Sequence, residues 1–128
     1  MRRLLDTNVW IDAYAGKPDA CRVFVQARTI RGAWIGYSSI TKLEVLGFWG
    51  LNAEDEQGLR ELLEQFEEIP ILPEVMDEAI RLRRLHKIKA PDAIIAATAL
   101  LQRAELVTRN TGDFRKVVGL PVLDSTQF

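Results

Sequence analysis

The segment LVTRNTGDF, residues 106–114, runs from an apolar pair, Leu106 and Val107, into Thr108, Asn110, Thr111, Gly112 and Asp113. That composition reads as a buried strand ending in a tight polar turn. The same grammar opens the chain. In LLDTNVWID, residues 4–12, an apolar run gives way to Asp6, Thr7 and Asn8. Two acids just past two separate hydrophobic runs raise the question of whether they serve one place in the fold.

Between these segments, strand-like and helix-like stretches alternate. Residues 2–6 read as a strand, 7–16 as a helix stopped by Gly16, and 18–30 as a second helix. Pro18 suits the first turn of that helix, and Cys21, Phe24, Val25 and Arg28 keep helical spacing. Residues 33–38 read as a strand. A helix over 39–50 follows, with Ser38 or Ser39 as N-cap. An amphipathic helix over 53–68 carries Leu59, Leu62, Leu63 and Phe66. IPILP, residues 69–73, is expected as a short strand that its prolines confine to an edge or a strand end. A helix over 73–88 places Val75, Ala79, Leu82 and Leu85 on one stripe, and a nearly all-apolar helix over 90–104 is expected to be buried on most sides. Strands at 105–108 and 120–124 complete the set. The alternation predicts an α/β fold, a mainly parallel sheet flanked by helices. The 128 residues suit one domain, 1–128, with no repeat, low-complexity tract or linker.

Composition narrows the function classes. The chain is 48% hydrophobic and 27% charged, as in globular proteins, and Cys21 is its only cysteine. A disulfide framework and a thiolate metal site are therefore excluded, and a reducing, cytoplasmic setting is expected. No run of about 18 apolar residues indicates a membrane span. An acid at position 6 comes too early for a secretory leader. The net charge of −1 argues against a surface coated for duplex binding.

Four acids occupy special places. Asp6 is expected at the carboxyl end of the first strand, the edge where open α/β sheets bind ligands. A helix N-cap is its simpler role. Asp92 follows Pro91 at the start of the apolar helix, where the helix dipole favours an anion by ~0.3–1 kcal/mol. Asp113 lies in the turn after LVT. Glu44 shares a helix face with Ile40 and Gly47, while Thr41 and Lys42 are expected on the solvent side. In a parallel sheet, strand ends and the helix starts that follow them meet along one edge, so these acids can converge. Like charges about 4 Å apart repel by ~4 kcal/mol at an effective dielectric near 20. Such a cluster binds protons at raised pKa or binds cations. Carboxylate oxygens without Cys or a nearby His select Mg²⁺ or Mn²⁺ over Zn²⁺. That metal chemistry suits phosphodiester hydrolysis by an activated water. Setting these four aside, the 18 acidic residues leave 14 against 17 basic ones, a mildly basic remainder.

LLDTNVWID, SSITKLEVL, KAPDAIIAATAL and LVTRNTGDF, in this order, resemble the four motifs of the PIN-domain family, most closely its small VapC-like toxins of toxin–antitoxin pairs. The resemblance runs from Asp6 to the strand near Val122. It implies a three-layer α/β/α PIN-like fold and a metal-dependent ribonuclease. Asp6, Glu44, Asp92 and Asp113 would then be the catalytic and metal-binding acids. Thr7 and Thr108 would be polar supports, with Asn8 and Asn110 fixing loops. It further implies Mg²⁺ or Mn²⁺ as cofactor, an RNA substrate, a small antitoxin partner and a homodimer, to which the 74–88 and 91–103 helices would contribute apolar surface. Lys89 stands where relatives are often apolar.

Other features admit two readings. Arg81, Arg83, Arg84, His86, Lys87 and Lys89 form either a solvated helix face or a phosphate-tracking rim. His86 is a further candidate base. Trp34, Phe48 and Trp49 are candidates for core, and Phe48, Trp49 and Leu51 also for a groove that takes a partner helix. The competing functions are a PIN-like RNA-processing nuclease without an antitoxin, a catalytically silent binding module, and an aspartyl phosphatase. The phosphatase would commonly carry a second acid where Asn8 stands.

Overall fold

The computed structural model describes residues 1–128. Five strands, β1 (Arg2–Leu5), β2 (Trp34–Ser38), β3 (Glu67–Ile69), β4 (Glu105–Thr108) and β5 (Val122–Asp124), form one sheet in the order β3-β2-β1-β4-β5. Every neighbouring pair is parallel. The connections hold α1 (Thr7–Tyr14), α2 (Pro18–Thr29), α3 (Ser39–Leu46), α4 (Ala53–Glu64), α5 (Pro73–Leu85), α6 (Ala90–Leu101) and α7 (Thr111–Phe114), and a 3-10 turn, Ser125–Gln127, ends the chain. No helix is long and apolar enough to cross a membrane.

Alternation along the central strands divides the core. Leu4 and Leu106 point to one face of the sheet, Leu5 and Val107 to the other. The first face is covered by Val75, Ala79 and Leu82 of α5, Ala93 and Ile95 of α6, and Phe114 of α7. The second is covered by Val9 and Trp10 of α1, Val23 and Phe24 of α2, and Leu59 and Leu63 of α4. The result is the expected three-layer α/β/α arrangement. Trp10 is the largest fully buried side chain. Its ring meets Phe24, Tyr37 and Phe66 edge-on at centroid distances of 5.3, 5.2 and 5.4 Å. Its Nε1 donates to the Leu5 carbonyl at 3.1 Å, so the indole ties α1 to β1.

The chain winds outward from β1 through β2 to β3, then returns to place β4 on the other side of β1. The strand order therefore reverses between β1 and β4, where such sheets open a crevice at the carboxyl edge. Asp6 and Thr108 stand at the two lips of that crevice.

Several boundaries differ from the sequence expectation, each for a local reason. The third strand is Glu67–Ile69, not 69–73. Pro70 lacks the N–H to continue the ladder. The two glutamates are tolerated because β3 is an edge, where charge also discourages further pairing. Glu68 accepts from Ser39 Oγ at 2.6 Å, and Glu67 from the Trp34 indole. Trp34 is half-buried rather than core: it lies over Gly36, where an added Cβ would meet the indole at 2.3 Å. Helix α4 stops at Glu64, four residues short of expectation, because Phe66 turns inward to Trp10. Helix α3 stops at Leu46. The Gly47 N–H donates to the Leu43 carbonyl at 2.7 Å, and a Cβ there would lie 2.5 Å from that oxygen. On α5, Leu85 leaves the expected stripe and is exposed, as is Val25 on α2.

Trp10→Ala is expected to cost about 3–5 kcal/mol of stability. Trp10→Phe should cost about 1–3 kcal/mol by leaving the Leu5 carbonyl without its donor. Urea denaturation that gave both variants wild-type midpoints would contradict this account of the core.

Candidate active site

Asp6 is the first residue after β1 and the N-cap of α1. Its backbone N–H donates to the Val107 carbonyl at 2.9 Å, continuing the β1–β4 ladder by one bond. The carboxylate is nearly fully buried and accepts three hydrogen bonds. Thr7 N–H donates to Oδ1 at 2.8 Å, while Thr108 Oγ1 and Asn8 Nδ2 donate to Oδ2 at 2.7 and 3.2 Å. The N-cap reading and the strand-end reading thus hold together. Thr108 also accepts from Asn110 N–H at 2.9 Å and so shapes the turn after β4.

Glu44 reaches the same edge from α3. Thr7 Oγ1 donates to Glu44 Oε1 at 2.8 Å. With its single proton spent there, Thr7 accepts at 3.1 Å from Thr41 Oγ1. Thr41 is therefore not on the solvent side, as its sequence position suggested. It is fully buried, one helical turn before Glu44.

Asp113 is not in an open turn but in the short helix α7, half-buried, with Asn110 Nδ2 at 3.4 Å and Lys116 Nζ at 3.5 Å. Asp92 lies in the first turn of α6, half-buried. Its pKa is pushed up to about 6, first by burial, then by the charges of Asp6, Glu44 and Asp113, with Lys89 opposing. The helix dipole would lower it, but by only ~0.3–1 kcal/mol, and loses. Asp6 is also raised: burial outweighs its hydrogen bonds, and the charge of Glu44 adds to it. Asp92 therefore feels the charges of the other three acids across the crevice, and Asp6 that of Glu44.

They do not converge into a finished ligand cage: no group of three or more Asp, Glu, His or Cys side chains stands in ligating arrangement. By donor chemistry these four carboxylates are still the residues able to hold a metal. Oxygen donors with excess negative charge fit a hard divalent cation.

A PIN-domain family model matches residues 3–120. The chain belongs to the PIN-domain family. Among solved structures, it is similar to a toxin–antitoxin complex from Klebsiella pneumoniae, at 36% identity over 96% of this chain and 97% of that one, TM-score 0.80. FitAcB from Neisseria gonorrhoeae is 27% identical over 98% and 99%, TM-score 0.71. VapBC2 from Rickettsia felis, bound to a DNA fragment from its promoter, shares the fold at 23% identity over 97% and 98%, TM-score 0.82. No curated protein matches.

Sequence reasoning missed Asp12 and Arg109. Asp12 is buried on α1 and pairs with Lys17 Nζ at 3.2 Å and Arg109 Nε at 3.3 Å. The Arg109 backbone N–H donates to Asn8 Oδ1 at 3.2 Å. One face of α1 thus grips the turn after β4 twice. The signal was present: Asn8 and Asp12 are four apart in this PIN domain's first helix. Phe48 and Trp49 lie in the loop after α3, 66% and 94% exposed, so neither is core. Leu51 is half-buried against the α1–α2–α4 core.

Asp92 binds its proton more tightly in the folded protein than in the unfolded chain, where its carboxyl titrates near 3.8. Between pH of about 4 and about 6 the folded state keeps a proton that the unfolded state has released, so stability falls as pH rises through that window. With chelator present, Asp92→Asn should remove part of this slope and raise the Tm at pH 7. Parallel Tm–pH curves for the two proteins would contradict the shift.

Proposed function

We propose that this PIN domain is a metal-dependent RNA endonuclease and the toxin of a toxin–antitoxin pair. The observation that carries the reading is the electrostatic influence of Asp6, Glu44 and Asp113 on Asp92 beside the reversal point of the sheet, where burial and their charges push its pKa up to about 6. The 36% identical Klebsiella toxin–antitoxin complex, matched over nearly the whole of both chains, supports the toxin role.

In this reading Asp6, Glu44, Asp92 and Asp113 hold Mg²⁺ or Mn²⁺. The bound ion supplies an activated water and charge stabilisation for phosphodiester cleavage. The chain's own groups do the positioning. Thr108 and Asn8 hold one carboxylate oxygen of Asp6 while the other caps α1, and Thr7, backed by Thr41, orients Glu44. Asn110 steadies Asp113. Asp92, whose proton is held by burial and by the neighbouring acids, would release it more readily once a cation offset those charges. His86 stands outside the cluster's mutual interactions and is not assigned as a base.

An active site open by default needs external control. The exposed Phe48 and Trp49, four and five residues beyond Glu44, form an apolar lip suited to a segment of the antitoxin. The Leu51 N–H donates to the Phe48 carbonyl at 3.2 Å, and its half-buried side chain ties the end of that loop to the core. An arginine of that segment laid against the acids would compete with both metal and RNA. In metal-replete buffer, Asp6→Asn should slow cleavage of a single-stranded RNA more than about a hundredfold, because several kcal/mol of transition-state stabilisation are lost. Trp49→Ala, at a fully open position, should keep its Tm and its cleavage rate and lose affinity for the antitoxin. Undiminished cleavage by Asp6→Asn would end the four-acid reading. Unfolding of Trp49→Ala would end the lip.

The same proposal includes a homodimer. Helix α6 is spent inside the molecule, but Leu72, Met76 and Ile80 form an exposed i, i+4, i+8 stripe along α5, with exposed Leu101 at the end of α6. Light scattering should give twice the 14.5 kDa chain mass, and Ile80→Glu should give the monomer. Monomer mass for the unaltered protein would refute it.

A further inference from the structure

The carboxylate cluster explains how a phosphodiester would be cut, but not how an RNA strand is held against so acidic an edge. A second feature lies beside it. From Ile80 to Pro91 the chain carries no acid, and from Phe114 to Leu123 none either. The fold brings these two stretches together around an open cavity of ≈ 420 Å³ lined by Arg83, His86, Lys87, Ile88, Lys89 and Lys116. Five of the six lining side chains are basic or imidazole, and none is acidic.

The cavity is built rather than incidental. Helix α5 ends at Leu85, and His86 leaves it in extended conformation. Ile88 is buried in the core and pins the crossing segment. Arg83 Nε donates to the Ile88 carbonyl at 3.3 Å, folding the last turn of α5 back over that segment. Lys89 is the N-cap of α6, three residues before Asp92. Across the cavity, Lys116 pairs with Asp113. Through Lys116, paired with Asp113, and Lys89, at the start of the helix that carries Asp92, the cavity lies next to two of the four acids. Arg83, Lys87 and Lys89 form no ion pair with any carboxylate of the chain, whereas Arg3, Lys17, Arg22, Lys42, Arg60, Arg81 and Arg109 each do. Unpaired cations facing one another repel, and a polyanion relieves that repulsion.

We infer that this cavity binds a backbone phosphate of the RNA strand, one step along from the phosphate presented to the carboxylates. This rests on the nuclease reading above and adds the direction in which the strand leaves the crevice, past the start of α6 toward the end of α5. A cationic seat next to an acidic centre also keeps a polyanion close where the acids alone would repel it.

The test uses the Asp6→Asn protein, so that RNA is bound without being cut, and a fluorescent single-stranded RNA titrated by anisotropy at several salt concentrations. Each cation–phosphate contact on a single strand contributes about 0.7 to the slope of log affinity against log salt. Arg83→Gln with Lys87→Gln should reduce the slope by about 1.4. Arg83→Lys with Lys87→Arg should restore it, which separates lost charge from a disturbed α5 terminus. Arg28→Gln with Arg31→Gln, also unpaired but at the opposite edge beside the start of β2, should leave it unchanged. An unchanged slope in the first pair, or an equal fall in the distal pair, overturns the cavity assignment, whether or not antitoxin binding falls. If the unaltered protein cuts RNA in that case, the nuclease reading stands. If it neither binds nor cuts RNA, both fail.

Discussion

The structure turns on the carboxylate of Asp6. It caps α1 through Thr7 and accepts from Thr108 at the end of β4, and the backbone N–H of the same residue extends the β1–β4 pairing. One side chain thus joins the first helix to the two strands at which the sheet reverses. A buried carboxylate costs several kcal/mol unless its lone pairs are used. Here three donors use them, and burial still raises its pKa. The same group that organises the crevice leaves it electrostatically unsatisfied.

That residual strain spreads to its neighbours. Asp92, in the first turn of a helix, would ordinarily be stabilised as an anion. It is instead raised to about 6, first because it is partly buried and then because it shares the crevice with Asp6, Glu44 and Asp113. Repulsion among groups held by a rigid sheet is a cost in stability that a bound cation would offset by mass action. The hydroxyls of Thr7, Thr41 and Thr108 and the amides of Asn8 and Asn110 hold the acids in place without neutralising them. Around Asp6 and Glu44 this supporting layer is polar but uncharged, which suits the proposed cation; Lys116, paired with Asp113, is the one basic partner of the four acids.

Surface charge and apolar surface are arranged around this centre rather than scattered. The two acid-free stretches meet at the basic cavity, and the exposed Phe48 and Trp49 follow Glu44 in the loop after α3. The proposed substrate path and the proposed partner site thus approach the same carboxylates from different elements. An occluding segment would then compete with RNA at the centre without having to cover the basic cavity.

Much of this was legible in the sequence. Leu4–Leu5 and Leu106–Val107, each followed by polar turn residues, fixed two buried parallel strands, because full burial on both faces demands continuous apolar runs. The nearly all-apolar α6 was expected to be an inner helix, and the order of the four acid-bearing segments pointed to the PIN-domain family. Other features belonged to tertiary structure alone. Glu67 and Glu68 became a strand because an edge tolerates charge, which no local pattern announces. Thr41 became a buried link to Thr7, and Asp12 a buried anchor for Arg109, because their partners lie 34 and 97 positions away. The proton affinity of Asp92 depends on three acids from three other segments. Local sequence determines which face of each element is apolar and where it starts. Only packing decides which polar groups meet across elements, because a hydrogen bond or a charge pair depends on distance in space and not on separation along the chain.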